Sequence, residues 1–360
     1  MSNKLILSIN PGSTSTKIAV YEETRKIFAK NLNHSVEELG AFADMADQFH
    51  FRKDIILKEL KEAGIDIRKL NAIVGRGGWL KPVRAGVYGV NDAMKERLRY
   101  GIQQTQHASN LGGLIADDIA AGIPGARAFI ADPPVVDEMD DVARISGHPL
   151  FQRRALFHPL NQRAVARRHA ASLGKKYDEI NLIVAHMGGG ISVGAHRRGR
   201  IVDVNNALDG EGPFTPERSG GLPAADVAKL CFSGDYTLHD IKKMIAGKGG
   251  CVAYLGTTDN REIEARVAAG DKQATLIENA MAYQVAKEIG AMYTALAGDV
   301  DAIVLTGGLA YNRPFIKKIT GRIEKLAPVA VYPGEDEMEA LAMNGLMALN
   351  GETDVLEYTN

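Results

Sequence analysis

Short apolar runs alternate along the chain with longer segments in which apolar residues recur at helical spacing. Five apolar runs predict buried strands, at 5–9, 72–74, 128–131, 182–185 and 302–305. Eight segments predict helices, at 36–62, 91–104, 108–121, 159–172, 223–232, 237–246, 272–297 and 335–349. Strands that alternate with helices are typical of an α/β fold.

A pattern of strand, turn and returning strand occurs twice. The first copy lies at 5–9, 10–16 and 18–21. The second copy, which adds a third strand, lies at 182–185, 186–190, 191–196 and 200–204. A chain of 360 residues is longer than one ordinary core requires, so the repetition predicts a duplicated domain.

Composition narrows the possible functions. Apolar residues make up 45% of the chain and charged residues 24%, and the net charge is −1, so a nucleic-acid partner is not expected. The two cysteines, Cys231 and Cys251, have no metal-ligand or CxxC spacing, which favours a reduced, cytoplasmic setting. The apolar run near the N-terminus is too short for a signal peptide, and no run reaches membrane-spanning length.

Three turns rich in small residues follow predicted strands. The first loop is 10–17 (NPGSTSTK), the second loop is 186–190 (HMGGG), and the third turn is 306–308 (TGG). Backbone N–H groups that are not covered by side chains bind phosphate oxygens, and glycine and small hydroxyl residues provide them. None of the three is a Walker P-loop. One such turn is most often a hairpin, but three at strand ends predict a nucleotide site.

Two of these turns lie in longer segments that resemble the signatures of a known family. Segments 7–17 (LSINPGSTSTK) and 184–193 (VAHMGGGISV) are similar to the first and second signatures of the acetate and butyrate kinase family. The segments FHP at 157–159, ERSG at 217–220 and LTGG at 305–308 match it as well. The resemblance covers essentially the whole chain.

The resemblance implies the α/β fold of the actin-like ATPases, which is ribonuclease H-like, with two duplicated mixed-sheet domains and ATP in a cleft between them. The N-terminal domain is predicted at 1–133 plus 338–360, and the C-terminal domain at 134–337. Family members are homodimers or larger, so the same is expected here. The helix at 272–297 is either an interface or buried core.

The resemblance also implies roles for individual residues. Arg218 and His158 are expected at the transferring phosphoryl group, and a structural role for either is the alternative. Residues expected to bind ATP or ADP are Asn10, Ser13, Ser15, Lys17, His186, Gly188, Gly189, Gly190, Gly307, Gly308 and Asn312. Asp132, as an exposed acid at a strand end, and Glu337 are expected to hold Mg²⁺, with Asp336 as the alternative to Glu337.

A carboxylate acceptor does not have to be deprotonated before it is phosphorylated, because a carboxylic acid is already ionised at pH 7. No general base is required, and the site needs cations that offset the charge of the phosphoryl group. Arg76 is predicted as a carboxylate clamp, although it does not align simply with the arginine of acetate kinases. Segments 77–90 and 131–137 resemble the butyrate kinase branch, which implies ATP-dependent phosphorylation of butyrate or a close relative. Isobutyrate, isovalerate, propionate and acetate stay open as alternative substrates.

Three other functions remain as alternatives. A sugar kinase of the same fold needs an aspartate base in a sugar-binding loop. An actin-like nucleotide switch usually carries an added binding or polymerising module. An acyltransferase or phosphatase would use His158 covalently. The direction of the reaction in the cell also stays open.

Overall fold

The computed structural model describes residues 3–105 and 107–359. They form two compact units. The first unit combines Met1–Val136 with Asp336–Asn360, and the second is Asp137–Glu335. The first unit therefore contains both an early and a late part of the sequence, whereas the second is continuous.

Twelve strands are present in the described residues. They are β1 (Leu5–Pro11), β2 (Ser15–Glu22), β3 (Arg25–Asn33), β4 (Leu70–Arg76), β5 (Val87–Gly89), β6 (Arg127–Ala131), β7 (Asn181–Met187), β8 (Ile191–Arg197), β9 (Arg200–Val204), β10 (Ala302–Gly307), β11 (Val329–Pro333) and β12 (Val355–Leu356). All five strands predicted from apolar runs are among them.

Thirteen α-helices accompany the strands in the same described residues. They are α1 (Val36–Gly40), α2 (Gln48–Glu62), α3 (Asp92–Thr105), α4 (Asn110–Ala121), α5 (Asp141–Arg144), α6 (Pro159–Ser172), α7 (Ala224–Cys231), α8 (Leu238–Ile245), α9 (Cys251–Leu255), α10 (Asn260–Ala268), α11 (Lys272–Ala295), α12 (Arg313–Ile323) and α13 (Glu337–Asn350). None of these helices combines the length and apolar character needed to cross a bilayer.

The sheet of the first unit has the strand order β12-β5-β6-β4-β1-β2-β3. β1, β4 and β6 are parallel, and β1, β2 and β3 form an antiparallel meander. Apolar side chains on β1 and β4, such as Leu7 and Ile73, are fully buried. α13 packs against these strands, and the Ser8 hydroxyl donates to the Met338 carbonyl oxygen at 2.9 Å. The late helix is thus part of the core of the early strands.

The sheet of the second unit has the strand order β11-β10-β7-β8-β9. β7, β8 and β9 form an antiparallel meander, and β10 pairs in parallel with β7 on its other side. This is the same arrangement as β1, β2, β3 and β4, so the predicted duplication is confirmed in the topology. One face of α11 lies in the core through Met281, Val285 and Ile289.

The single helix predicted at 36–62 is wrong. α1 begins at a capping box formed by Ser35 and Glu38, and it ends at Gly40. α2 begins only at Gln48, after a short 3₁₀ turn. Asp44 and its neighbours explain the break, because glycine and aspartate favour turns and caps over helix interiors. β3 was not predicted, since most of its residues are polar and exposed.

Candidate active site

Three predicted residues lie at one edge of the first sheet. Asn10 is near the end of β1, Arg76 is the last residue of β4, and Asp132 directly follows β6. β1 and β4 are parallel neighbours, as are β4 and β6, and Arg76 lies opposite Ala131 in the register. The carboxyl ends of parallel strands are the usual place for a ligand site in an α/β sheet.

Glu337, the first residue of α13, connects two of these residues. Its carboxylate accepts from the Asn10 amide at 2.6 Å and from the Arg76 guanidinium at 2.5 Å. Asp336, in contrast, caps α13 by accepting from the Glu339 N–H at 2.9 Å. The structure therefore favours Glu337 over Asp336 as the acidic residue of this edge.

Asp132 is placed differently from the expectation. Its side chain was expected to be exposed, but only 2% of the residue is accessible. Its backbone has a φ of +38°, which is costly for a residue with a Cβ and is found most often at functional sites. The Gly86 N–H donates to its carboxylate at 2.8 Å, and this pairing with the Gly86 backbone turns the acid inward.

The first loop closes tightly between β1 and β2. The Gly12 N–H donates to the Ser15 carbonyl oxygen at 2.7 Å. Ser13 is exposed and Ser15 is half-buried. Lys17 lies opposite Asn10 in the β1–β2 register and its side chain is exposed. The loop thus presents hydroxyl groups and an ammonium group on its accessible side.

In the second unit, His186 and Thr306 are opposite each other near the ends of the parallel strands β7 and β10. His186 is 2% exposed, and its Nδ1 lies 2.7 Å from the Asn161 side-chain oxygen. Its Nε2 lies 3.3 Å from a carboxylate oxygen of Glu335. Gly307 has a φ of +91°, a conformation that favours glycine.

His158 is the N-cap residue of α6 and precedes Pro159 at the first helical position, as the sequence predicted. Its ring stacks on that of His186, with the centroids 4.0 Å apart and the planes 18° from parallel. Its Nδ1 lies 2.9 Å from the Ser192 hydroxyl oxygen. The structure therefore brings two of the predicted histidines together.

Arg218 approaches the same place. A Cβ added to Gly190 would lie 2.2 Å from Arg218 Nη1 and 3.2 Å from His158 Cε1, so only glycine leaves room for both side chains. The Arg218 Nη1 donates to the Ala207 carbonyl oxygen at 2.7 Å, which orients the guanidinium. Burial lowers the pKa of Arg218, and the charge of nearby Glu217 opposes that shift. A half-buried cation and a histidine thus meet at the end of the second loop.

A buried chain of hydrogen bonds supports His158. Gln162 donates its amide to the Ser192 hydroxyl at 2.9 Å, and its side-chain oxygen lies 2.9 Å from His196 Nε2. The Tyr177 hydroxyl lies 2.8 Å from His196 Nδ1. Burial lowers the pKa of His196 to about 3, so this ring is neutral. The Ser192 hydroxyl, which accepts from Gln162, also pairs with His158 Nδ1, so this buried chain fixes the orientation of the His158 ring.

The remaining predicted residues of the second unit differ in how accessible they are. Gly188 and Gly189 are accessible, and the Gly189 carbonyl oxygen accepts from the Thr215 hydroxyl at 2.6 Å. Gly308 has open space on its Cβ side. The Asn312 side chain is engaged at both ends, because it accepts from the Phe315 N–H at 2.9 Å as a helix cap and donates to Glu278 at 3.2 Å.

Comparison with known proteins shows the family to which the chain belongs. The acetokinase family, as defined by its sequence profile, matches residues 147–345. Butyrate kinase 1 of Clostridium acetobutylicum is 55% identical to this chain, over 98% of the chain and 99% of that protein. The chain belongs to the acetokinase family. Butyrate kinase 2 of the same organism is another relative, 52% identical over 98% of the chain and 99% of that protein.

Among solved structures, this chain is similar to the crystal structure of Porphyromonas gingivalis acetate kinase. The TM-score is 0.81, and the match covers 96% of this chain and 100% of that chain at 20% identity. Similarity at that identity concerns the fold. It confirms the predicted two-domain α/β fold of the actin-like ATPases.

The predicted magnesium ligands are two carboxylates, those of Asp132 and Glu337. Across residues 3–105 and 107–359, no group of three His, Cys, Asp or Glu side chains is arranged to hold a metal ion. Mg²⁺ commonly takes one or two carboxylates together with phosphate oxygens of a substrate. Asp132 and Glu337 fit that donor set, and their assignment stays a prediction.

Sequence reasoning missed several residues around these predicted sites. Glu335, beside His186, stood in the acidic segment 334–338 but was not singled out. Ser192 lies in the second family signature and was read only as strand. Gln162 follows His158 by one helical turn, a spacing that places both on one face of α6.

Proposed function

We propose that this protein transfers the γ-phosphoryl group of ATP to butyrate, reversibly, to give butyryl phosphate and ADP. The observation that carries the proposal is 52–55% identity to two butyrate kinases over 98% of the chain. A carboxylate oxygen forms a bond to the γ-phosphorus, and the bond from that phosphorus to the bridging oxygen of ADP breaks. Charge balances without any proton transfer, since the acid is ionised beforehand.

In the second unit, we assign the transferring phosphoryl group to Arg218 and His158. Charge that develops on the equatorial oxygens is stabilised best by donors that are already fixed in place. The bond from Arg218 to the Ala207 carbonyl oxygen and the chain of hydrogen bonds behind His158 provide that fixation. His158 would donate from Nε2 to a phosphoryl oxygen, and His186, stacked on it, would bind phosphate only by giving up its Nε2 contact with Glu335.

In the first unit, we assign nucleotide phosphates to the first loop and the substrate carboxylate to Arg76. A guanidinium can bind a carboxylate, and Arg76 already does so with Glu337, to both of whose carboxylate oxygens its Nη1 donates. Asp132 and Glu337 would hold Mg²⁺, which offsets the negative charge of the phosphates when it is bound. Glu337 now pairs with Arg76, so Arg76 would be available to the substrate acid only when that ion pair opens.

Detection of the acyl phosphate is the direct test. The protein is incubated with ATP, Mg²⁺ and butyrate, and the product is trapped with hydroxylamine as the hydroxamate. Acetate, propionate, isobutyrate and isovalerate are compared at equal concentrations, and glucose with ADP release as readout serves as a sugar control. Preference for butyrate supports the proposal. Absence of hydroxamate with every acid refutes it, and ATP hydrolysis alone would favour a nucleotide switch.

We also propose a homodimer or a larger assembly of this chain, as the family resemblance implies. α11 turns one face to the core, while Leu276 and Tyr283 on the same helix are exposed at 65% and 46%. Exposed apolar side chains of this kind are common at contacts between subunits. Light scattering coupled to size exclusion measures the mass, and a 38.8 kDa species at micromolar concentration would refute the proposal.

A further inference from the structure

Arg52 is a charged residue that the proposed chemistry does not use, and it lies directly beneath the first loop. It is in the first half of α2 and is fully buried, with 0% exposure. Arginine is rarely buried to this extent unless a carboxylate pairs with it. The sequence context of Arg52, between Phe51 and Lys53 in a largely polar helix, gives no indication of this burial.

All five N–H groups of the Arg52 guanidinium have a partner. Nε and Nη2 donate to the Gln48 side-chain oxygen at 3.0 and 2.9 Å. Nη1 donates to the Ser15 carbonyl oxygen at 3.0 Å and to the Thr16 hydroxyl at 2.9 Å. Nη2 also donates to the Ser13 carbonyl oxygen at 3.2 Å. Three of the five bonds therefore go to the first loop.

Every one of these partners is uncharged. In the described part of the chain, no carboxylate lies within ion-pair distance of Arg52, and burial alone lowers its pKa, to about 10. The side chain is thus positively charged at neutral pH and lacks a counter-ion from the protein. A buried charge in this state is costly, which makes Arg52 a candidate for a functional role.

The hydrogen bonds also orient the loop. A trans peptide directs its carbonyl and the next N–H to opposite sides. Because the Ser13 carbonyl oxygen points to Arg52, the Thr14 N–H points away from it, to the side on which both residues are exposed. An anion on that side meets the loop N–H first and the Arg52 charge behind it.

We propose that Arg52 supplies the fixed positive charge that attracts the nucleotide polyphosphate to the exposed side of the first loop. This inference rests on the proposed function, since it takes the loop to bind ATP phosphates. Arg52 acts through the electric field and through the loop, without touching the ligand. Its effect must therefore scale with the charge of the ligand.

Isothermal titration calorimetry with ATP, ADP, AMP and adenosine provides the test. Arg52→Met keeps the length of the side chain and removes its charge. We expect its Kd for ATP to rise at least about tenfold. The Kd values for ADP and AMP should rise progressively less, and the Kd for adenosine should be unchanged. Gln48→Met is the matched control, because it removes two hydrogen bonds of Arg52 and keeps the charge. Equal losses for all four ligands, or equal losses in the two variants, would overturn the proposal.

Arg52→Lys covers the case in which the methionine variant does not fold. A buried lysine has a lowered pKa, so its charge is lost as the pH rises. We expect its affinity for ATP, relative to the unchanged protein, to fall between pH 5.5 and 9.5. His34, whose Nε2 lies 2.9 Å from the Thr16 hydroxyl, is the neighbouring titratable group, and it is present in both proteins. A ratio that does not change with pH contradicts the inference.

These outcomes are separate from failure of the proposed function. If the unchanged protein forms no butyryl hydroxamate and does not bind ATP, the proposed function itself fails. If it does both and Arg52→Met binds the four ligands normally, only the role of Arg52 is refuted.

Discussion

Gly190 offers the sharpest test of how the second unit positions Arg218. Gly190→Ala adds one methyl group that would lie 2.2 Å from Arg218 Nη1. Carbon contacts are optimal near 3.5 Å, so the guanidinium must move by about 1.3 Å. The φ of Gly190 is not in the left-handed region, so alanine fits the backbone itself. The variant should therefore fold and displace one cation.

The expected loss follows from that displacement. A catalytic group misplaced by roughly 1 Å costs about 10²-fold in rate. This corresponds to about 2.7 kcal/mol of transition-state stabilisation, at roughly 1.36 kcal/mol for each factor of ten. We expect kcat/KM in the hydroxamate assay to fall about 100-fold in Gly190→Ala and by 10²–10³-fold in Arg218→Ala. The thermal midpoint of each should stay close to that of the parent.

The double variant decides whether the two losses have one cause. If the added methyl acts by moving Arg218, then Gly190→Ala combined with Arg218→Ala is no worse than Arg218→Ala alone. Gly321→Ala on α12 is the control, because a Cβ added there would meet nothing within 4 Å and the residue lies outside the predicted site. Losses that multiply in the double variant would refute this reasoning, and so would full activity of Gly190→Ala.

Three further predictions concern other parts of the molecule. Arg76→Met should raise the KM for butyrate about tenfold or more, with less change for ATP, because a hydrogen-bonded charge is lost; a change confined to ATP would limit Arg76 to holding Glu337. His196→Gln should flatten the pH dependence of the urea unfolding free energy. In the unfolded chain His196 binds a proton below about pH 6.5, whereas folded His196 stays unprotonated down to about pH 3. The free energy of unfolding therefore falls as the pH drops, by up to about 1.4 kcal/mol per pH unit. An unaltered slope would contradict this. With Ellman's reagent, exposed Cys231 should react quickly and buried Cys251, whose pKa is raised to about 12, should not; Cys231→Ser should abolish the fast phase.

The sequence predicts the strands that carry the sites well, because those strands are short apolar runs that end at turn residues. β7 and β10 differ from the predicted runs only at their ends. Helices and strands that carry both apolar and polar residues are harder to predict from the sequence. α12 was not predicted, although Phe315, Ile316 and Ile319 form an apolar face that the structure buries.

Contacts between distant residues set the other limit. Arg76 and Glu337 are 261 positions apart, and no local pattern indicates that they form an ion pair. Asp132 is predicted to be exposed because it follows a strand. In the structure it is buried by its pairing with the backbone of Gly86, which is distant in the sequence. Arg52 has the same character, since its burial depends on a loop almost forty residues earlier.

The place of α13 in the first unit has a consequence for how the protein is made. α13 packs on β1 and β4, yet a ribosome synthesises it after the whole second unit. At 5–20 residues per second, the roughly 200 intervening residues delay its arrival by about 10–40 s. During that time the second unit can finish folding. The faces of β1 and β4 that α13 later covers stay uncovered. The nascent N-terminal strands therefore expose apolar surface until α13 arrives.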